Sequence, residues 1–474
     1  MDTGQSQNRC CDSDADALDV DARFRLANAL AASGKDEDGE RAKTLYLQII
    51  DEIPDSLGAW VNLGILLFET GYIRAAVTAF SAALAYHPGE AAAHVYLGNV
   101  QMYRNELAEA EKSYLSALQL NENFPEAHQG LASIYQRQGC WHKAALHRRL
   151  GFEDRAVSHL SCRAQGTPVP LLVLASARDG NIPWRLLIDR DVFDTTIVAV
   201  EYFDGALPVH RIVFNAIGDA DLCRDELEKA ALLLEKTAAP VINHPKAVLE
   251  TGRMDIARKK IPKVITPRIE LVPKSDFRVG KTGFAKFPYL LRSPGFHGGN
   301  FFVRVENRRE LATALDMLPG EALLAIEFLD ARSRDGLYRK YRVMCIGGAL
   351  YPVHMAISAH WNVHYFDSDM DKNAQYRKEE SFFLNDFSAC LGADAISALQ
   401  HIGRTLSLDY CGIDFGMDRQ GNILLYEANA TMVINPPTHE ERWNYRRTAI
   451  NGALAAARNL FTDRAGITPS ASRR

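Results

Sequence analysis

The feature that most constrains the fold is a repeat with a period of 34 residues in the first third of the chain. Its clearest unit carries Trp60, Leu63, Gly64, Leu67, Gly71, Ala76, Phe80, Ala83 and Pro88. One period on stand His94, Leu97, Gly98, Ala110, Tyr114 and Ala117, with Glu122 in the place of the proline. The next step gives His128, Leu131, Ala132, Tyr135, Gly139 and Ala144. Upstream, Leu26, Ala27, Leu30 and Gly34 read as one helix and Ala42, Tyr46 and Pro54 as a second, with a turn between them that is longer than usual. A fixed period of this length belongs to stacked helix pairs, because each pair can bury its apolar face only against its neighbours. Small residues let paired helices approach, and large ones fill the gaps between successive pairs. A generic helical bundle would show apolar periodicity without the fixed period.

These positions resemble tetratricopeptide repeats, spread as about four units over residues 21–157. The resemblance implies an all-α solenoid whose concave face takes a peptide or protein partner and carries no chemistry. At 474 residues the chain exceeds what one core serves, so further domains follow. Residues 1–20 and 463–474 are polar and read as disordered ends. A formal charge of −5 without a basic stripe argues against a nucleic-acid or membrane partner. The N-terminal stretch is acidic with no apolar leader, and no apolar run is long enough to cross a bilayer. The eight cysteines are scattered, with only Cys10 and Cys11 adjacent, which is not zinc-ligand spacing. The expectation is a cytoplasmic protein with reduced thiols.

Residues 158–168, with Gly166 and Pro168, read as a linker. Beyond it apolar runs alternate with helical stretches. Strands are expected over 171–176, 195–200, 211–216 and 240–243, with an amphipathic helix over 221–237, which makes 169–262 a small α/β domain. Runs at 287–292, 300–305, 323–329, 341–345 and 349–356 suggest an antiparallel sheet. A helix over 393–406 then precedes a strand pair, 411–416 and 423–429, closing an α+β domain over 263–462.

The strand pair carries the strongest chemical signal. In a hairpin centred between Gln420 and Gly421, Asp414 and Glu427 face each other across the ladder. Glu427 and Asn429 lie two apart in one strand and share a face. Three hard oxygen donors therefore converge, a set that suits Mg2+ bridging the phosphates of a nucleotide, with Mn2+ as the alternative metal. The flanking Ile413, Phe415, Leu424, Leu425 and Tyr426 imply burial rather than an exposed charged hairpin. A second element, the run 287–300, ends a strand in Arg292 and continues into a loop with Gly298 and Gly299. Such a loop can wrap phosphates with backbone N–H groups, although glycines between strands more often mark only a turn.

In chain order stand Val241, Ile242, Asn243, His244 and Pro245, then Arg253, the Leu290-Leu291-Arg292 strand, the glycine loop, Ile326 to Leu329, Arg342, Asp414, and Glu427-Ala428-Asn429. Together they resemble the ATP-grasp superfamily, within it the glutathione synthetase and ribosomal-protein glutamate-ligase branch. The resemblance implies an α/β pre-ATP-grasp domain followed by an α+β ATP-grasp fold. It also implies an ATP- and Mg2+-dependent ligase that joins a carboxylate to an amine through an acyl phosphate. By that resemblance Arg253 and Arg292 stand where the family has two ATP-contacting lysines. The same resemblance implies that Ile326 to Leu329, including Phe328, would be the hinge that holds adenine, with Glu327 as a ribose or adenine partner, and that Arg342 would face the phosphates or the acyl phosphate. The chain departs from the family where glutathione synthetases place a further arginine and this sequence has Met355-Ala356-Ile357-Ser358.

His354, His360 and His364 with Trp361 read as a substrate-facing loop, and the i,i+4 spacing of the last two histidines suits a metal only on a helix. Residues 377–380, Arg-Lys-Glu-Glu, read as a solvated charge run. Two other functions fit the same residues: a phosphotransferase on the same fold, and a repeat adaptor that binds nucleotide without turnover. The substrates in view are a small molecule, an amino acid or a peptide.

Overall fold

The computed structural model describes residues 18–164, 166–284, 286–296, 299–363, 365, 368–438 and 440–467. The tails expected to be disordered fall mostly outside this range, as do Cys10, Cys11, Gly298 and His364. The chain divides into two compact units, Met1–Glu153 and Asp154–Arg474.

The first unit is four antiparallel helix pairs: α1 (Val20–Ser33) with α2 (Asp36–Glu52), α3 (Leu57–Glu69) with α4 (Ile73–Tyr86), α5 (Ala91–Tyr103) with α6 (Leu107–Leu120), and α7 (Pro125–Arg137) with α8 (Trp141–Phe152). The unusual first repeat resolves differently from the expectation. Its turn is short, Gly34 and Lys35, with Gly34 at φ 72°; the extra length lies in α2, which has 17 residues against 14 in α4 and α6. Asp36, Glu37 and Asp38 favour this early start, because acidic side chains in a first turn meet the positive end of the helix dipole.

Close approach of the paired helices rests on their small residues. A Cβ on Gly64 would sit 2.7 Å from the Phe80 ring, and one on Gly98 2.7 Å from the Tyr114 ring. Tyr114 is buried, and its hydroxyl donates to Asn99 Oδ1 at 2.7 Å, so the ring is pinned at both ends.

The second unit contains three sheets. The first has the order β1-β3-β2-β4-β5, built from β1 (Val157–Leu160), β2 (Val169–Ala175), β3 (Phe193–Ala199), β4 (Ile212–Asn215) and β5 (Val241–Ile242). Its last four members run parallel, while β1 pairs antiparallel to β3. The stretch read as linker therefore begins as a strand, because Val157 to Leu160 find a free edge on β3. Helix α9 (Arg224–Leu234) follows β4, and α10 (Pro245–Val248) and α11 (Arg253–Arg258) follow β5.

The run expected as one antiparallel sheet is divided between two. The smaller sheet, β7-β10-β8-β9, joins β7 (Ile269–Pro273), β8 (Tyr289–Arg292), β9 (Phe302–Val305) and β10 (Ala322–Glu327), after β6 (Val264–Ile265) has left for the third sheet. It has its own core of Phe277, Phe284, Leu291, Leu315 and Leu323, covered by α12 (Lys274–Arg278) and α13 (Arg308–Met317). The third sheet, β12-β11-β13-β14-β6, adds β11 (Tyr338–Ile346), β12 (Ala349–Ser358), β13 (Tyr410–Met417) and β14 (Ile423–Asn429). Period-2 alternation signals strands but not which strands share a sheet, so the division was not visible.

Three helices, α14 (Ala374–Asn385), α15 (Phe387–Leu391) and α16 (Ala393–Leu406), lie between β12 and β13, and α17 (Arg447–Arg464) closes the unit. The ring of Phe461 on α17 packs against Phe193 and Phe214, at 6.2 and 5.0 Å between centroids, so the last helix shares the core of the first sheet. The charge run on α14 is not uniformly solvated. Glu380 is fully buried, accepting from Met355 N, Tyr365 Oη and Tyr445 Oη, because it shares the inward helix face with Phe383 and Leu384. Its neighbour Glu379 pairs with Arg339 at 2.9 Å.

Replacing Gly98 by valine is expected to lower stability by about 1–3 kcal/mol, since the branched side chain must enter the space of a pinned ring. Gly89→Ala, where an added Cβ meets nothing within 4 Å, should stay within about 0.5 kcal/mol. Urea denaturation of both variants checks the pair.

Candidate active site

The site is written across the third sheet. In β11 to β14 the register pairs Arg342 with His354 on one side and with Asp414 on the other, and Asp414 in turn with Glu427. Directly opposed residues project to the same face, so one row carries an imidazole, a guanidinium and two carboxylates. The opposition of Asp414 and Glu427 is as the sequence implied, but it arises in two steps. Next to the turn the ladder pairs Phe415 with Leu425, and an extra residue, Tyr426, then shifts the register before Asp414 meets Glu427. Tyr426 is a β-bulge.

Asp414 is 1% exposed, which would be costly for an unpaired carboxylate. Arg342 donates to it through Nε at 2.6 Å and Nη2 at 2.9 Å, a fork on both oxygens, and Lys340 Nζ lies 2.7 Å from Oδ2. Burial alone would raise the carboxyl's proton affinity; Arg342 and Lys340 outweigh it and hold Asp414 far below the usual carboxylate range. Lys340 was missed in the sequence. The signal was present, because it lies two residues before Arg342 in a strand and must share its face.

Glu427 is bound from a different direction. Arg253 Nη2 donates to Glu427 Oε1 at 2.8 Å, and Asn429 Nδ2 donates to the same oxygen at 2.9 Å. Asn429 Oδ1 accepts from Thr431 N and Oγ1 at 3.0 and 2.9 Å. Asp414, Glu427, Asn429, Arg342 and Arg253 are thus brought together as a set. Each acid already faces a protein cation.

Arg292 ends β8 and turns into its own loop, donating from Nε and Nη2 to the carbonyl of Phe296 at 3.2 and 2.6 Å, with its guanidinium carbon 5.3 Å from the Phe302 ring centroid. Burial first, then the nearby Arg253, pushes its proton affinity down to about 10. In the same loop Gly299 has φ 80°, a left-handed conformation that favours glycine, whereas Gly298 lies outside the described residues. Glu327 is exposed at the end of β10, and its carboxylate accepts from Arg268 N at 3.0 Å. Phe328 packs with Leu290, Leu324 and Ile326, under the guanidinium of Arg304 at 4.1 Å. Leu329 lies in the adjoining cluster with Ala331 and Tyr338. The residues read as an adenine hinge therefore border an apolar patch.

The histidines do not form one loop. His354 lies within β12, where burial and the facing Arg342 push its imidazole well below the ordinary value, and its Nδ1 is buried without a hydrogen bond. His360 follows β12 outside any helix, so the i,i+4 spacing has no helical face to act on. Trp361 beside it packs edge-on to Phe302 and Phe328. Among the described residues no cluster of three or more His, Cys, Asp and Glu side chains is placed to hold a metal. No helix of the described residues is long and apolar enough to cross a membrane.

A family model described as TPR repeat matches residues 98–139, within α5 to α7 and the loop after them. The first unit carries tetratricopeptide repeats. Repeats of this kind are protein-interaction surfaces. Among solved structures, one titled MamA MSR-1 C2 is 24% identical with a TM-score of 0.25, over 29% of this chain and 76% of that chain. A chain titled MamA 41-end from Desulfovibrio magneticus RS-1 is 24% identical with a TM-score of 0.25, over 27% and 71%. Another, titled Crystal structure of MamA, is 19% identical with a TM-score of 0.27, over 32% and 95%. No curated protein matches the chain.

Arg342→Met is expected to cost about 3 kcal/mol, because it strips a buried carboxylate of its forked partner. The deficit should be full at neutral pH and shrink as pH falls below the ordinary Asp value of 3.8. There the unfolded chain takes up a proton that native Asp414 refuses, so stabilisation from the depressed native value is lost. Denaturant titrations between pH 7 and pH 3 read the trend.

Proposed function

We propose that the second unit is an ATP-grasp enzyme, an ATP- and Mg2+-dependent ligase joining a carboxylate to an amine. The observation that carries this reading is the in-register pair Asp414 and Glu427, each matched to a cation on one sheet face. The division of the α+β region into a four-stranded and a five-stranded sheet, with Arg292 and its glycine loop on the smaller one, supports the same reading. Two carboxylates and an amide oxygen are the hard donors that Mg2+ takes. Asp414, Glu427 and Asn429 would hold it, Asn429 by turning its amide oxygen away from Thr431. Bound there, the metal supplies charge neutralisation on phosphate oxygens.

The chain's own cations fit the rest of the chemistry. Arg342 and Lys340 neutralise Asp414 and would turn toward phosphate oxygens of a bound nucleotide, while Arg253, the other ATP contact that the resemblance implies, would keep its Nη2 arm on Glu427. Arg292 needs little rearrangement, since its present partner is a backbone carbonyl rather than a carboxylate. Phe328, Leu329 and Glu327 offer an apolar strip with one acceptor for adenine. Activating the carboxylate substrate as an acyl phosphate replaces an impossible oxide leaving group with phosphate, so positioning and charge neutralisation suffice and no side-chain nucleophile is required. The tetratricopeptide unit then captures a peptide or protein, as substrate or as partner.

Mass spectrometry of products after offering ATP, Mg2+ and a panel of amino acids and peptides tests the assignment: a new amide supports a ligase, a phosphorylated product a phosphotransferase. A thermal shift with ATP and Mg2+ but no new product of either kind would favour the adaptor reading. ATP at 100 times its dissociation constant should add about 2.7 kcal/mol, and only with Mg2+ present. Glu427→Gln and Asp414→Asn should each lose most turnover, because both remove charge from a metal ligand at nearly constant volume; Asp414→Asn should also lose stability, since it leaves Arg342 and Lys340 without their counter-charge, so its rate is read below its unfolding transition. Near-normal rates in both variants would sink the metal assignment.

A further inference from the structure

The loop after β4 contributes a carboxylate that the ligase reading leaves unused. Asp221 accepts from the backbone N of Arg253 at 3.3 and 3.2 Å, at the start of α11, and from Arg253 Nη1 at 3.0 Å. The other arm of that guanidinium, Nη2, reaches Glu427 Oε1 at 2.8 Å. One side chain therefore spans from the carboxyl end of the parallel sheet to β14, and with 11% of its side chain exposed it is largely shut off from water. The loop is braced from below, since Asp219 Oδ1 accepts from the backbone N of both Asp221 and Leu222 at 2.9 Å. Gly252 makes room for two acids: a Cβ there would lie 2.8 Å from Asp221 Oδ1 and 2.8 Å from Asp255 Oδ2.

We infer that Asp221 is a positioning residue for Glu427, acting through Arg253; the inference rests on Glu427 being a metal-binding carboxylate. An arginine with one arm fixed presents its other arm at a defined place, so the contact to Glu427 Oε1 holds the carboxylate in one orientation. Without Asp221 the guanidinium loses the anchor on its Nη1 arm, so the direction of its Nη2 arm toward Glu427 is less tightly fixed. Groups that orient a metal ligand from behind in this way typically change metal affinity or activity about 10–100-fold when removed.

The test is calorimetric titration of ATP into the full chain at stepped Mg2+ concentrations, a binding readout that needs no substrate. Asp221→Asn should raise the Mg2+ concentration for half-maximal ATP binding about tenfold or more, with ATP affinity at saturating Mg2+ within about threefold of wild type. Asp221→Glu should recover part of the loss. Asp255→Asn, on the same helix and paired only loosely to Arg224 and Arg258 at 3.7 and 3.9 Å, should behave as wild type. A folded Asp221→Asn with the wild-type Mg2+ midpoint overturns the inference, as does an equal shift in Asp255→Asn. Wild-type protein showing no Mg2+-dependent ATP binding overturns the ligase reading itself.

Discussion

A carboxylate buried in a sheet has to be neutralised by what its neighbouring strands bring, and Asp414 sets that demand for the second unit. Water is excluded from it, and the cost of leaving its charge unpaired exceeds what most single contacts contribute. Its partners come from the facing strand: Arg342 directly opposite and Lys340 two residues away. The pairing of β11 with β13 is thereby locked in one register, because a slip of one residue would turn Arg342 and Asp414 to opposite faces. Electrostatics and ladder geometry specify the same alignment, so the row His354, Arg342, Asp414 and Glu427 is a consequence of how the sheet is stitched.

The other half of the row depends on an irregularity. The turn before β14 is fixed by Asp418, whose Oδ1 accepts from Gln420 N and Asn422 N. Continued without interruption, that hairpin would set Tyr426 opposite Asp414 and send Glu427 to the far face. The bulge at Tyr426 adds the one residue that restores Glu427, and it leaves Tyr426 over Gly416, where an added Cβ would come within 2.2 Å of the tyrosine oxygen. Bulges are frequent beside functional sites because they re-aim a side chain at the cost of one ladder position. Here the residue re-aimed is an acid.

What the sequence made legible follows from the range of the interactions. The 34-residue period and the Glu427 and Asn429 pairing are local or periodic, and both appear in the structure as read. The Asp414 and Glu427 pairing was correct through a compensation: centring the hairpin between Gln420 and Gly421 absorbed a bulge that no residue type announces. The first repeat was misread for a similar reason, since three added residues look alike in a turn or in a helix. Glu380 shows the opposite limit. Four consecutive charged residues suggest solvent, yet α14 turns one of them into the core, where two tyrosines from distant segments receive it. Asp221 had no signal at all, because its partner Arg253 lies 32 residues on, after another strand. Contacts that join separate elements leave no trace in local pattern.

The arginines at 253 and 292, where the resembled family has lysines, acquire a physical meaning from these contacts. A lysine ammonium is a compact point charge, able to sit on one carboxylate or one phosphate at a time. The guanidinium of Arg253 uses two different nitrogens on two different acids, Asp221 and Glu427, which arise from different sheets. Arg292 likewise directs Nε and Nη2 together at one carbonyl of its own loop while its face lies toward Phe302. Both positions exploit the planar fork rather than the charge alone. A lysine at 253 would preserve the sign of the charge and sever the link between the parallel sheet and β14, so the choice of arginine ties the acid on β14 to a loop of the first sheet.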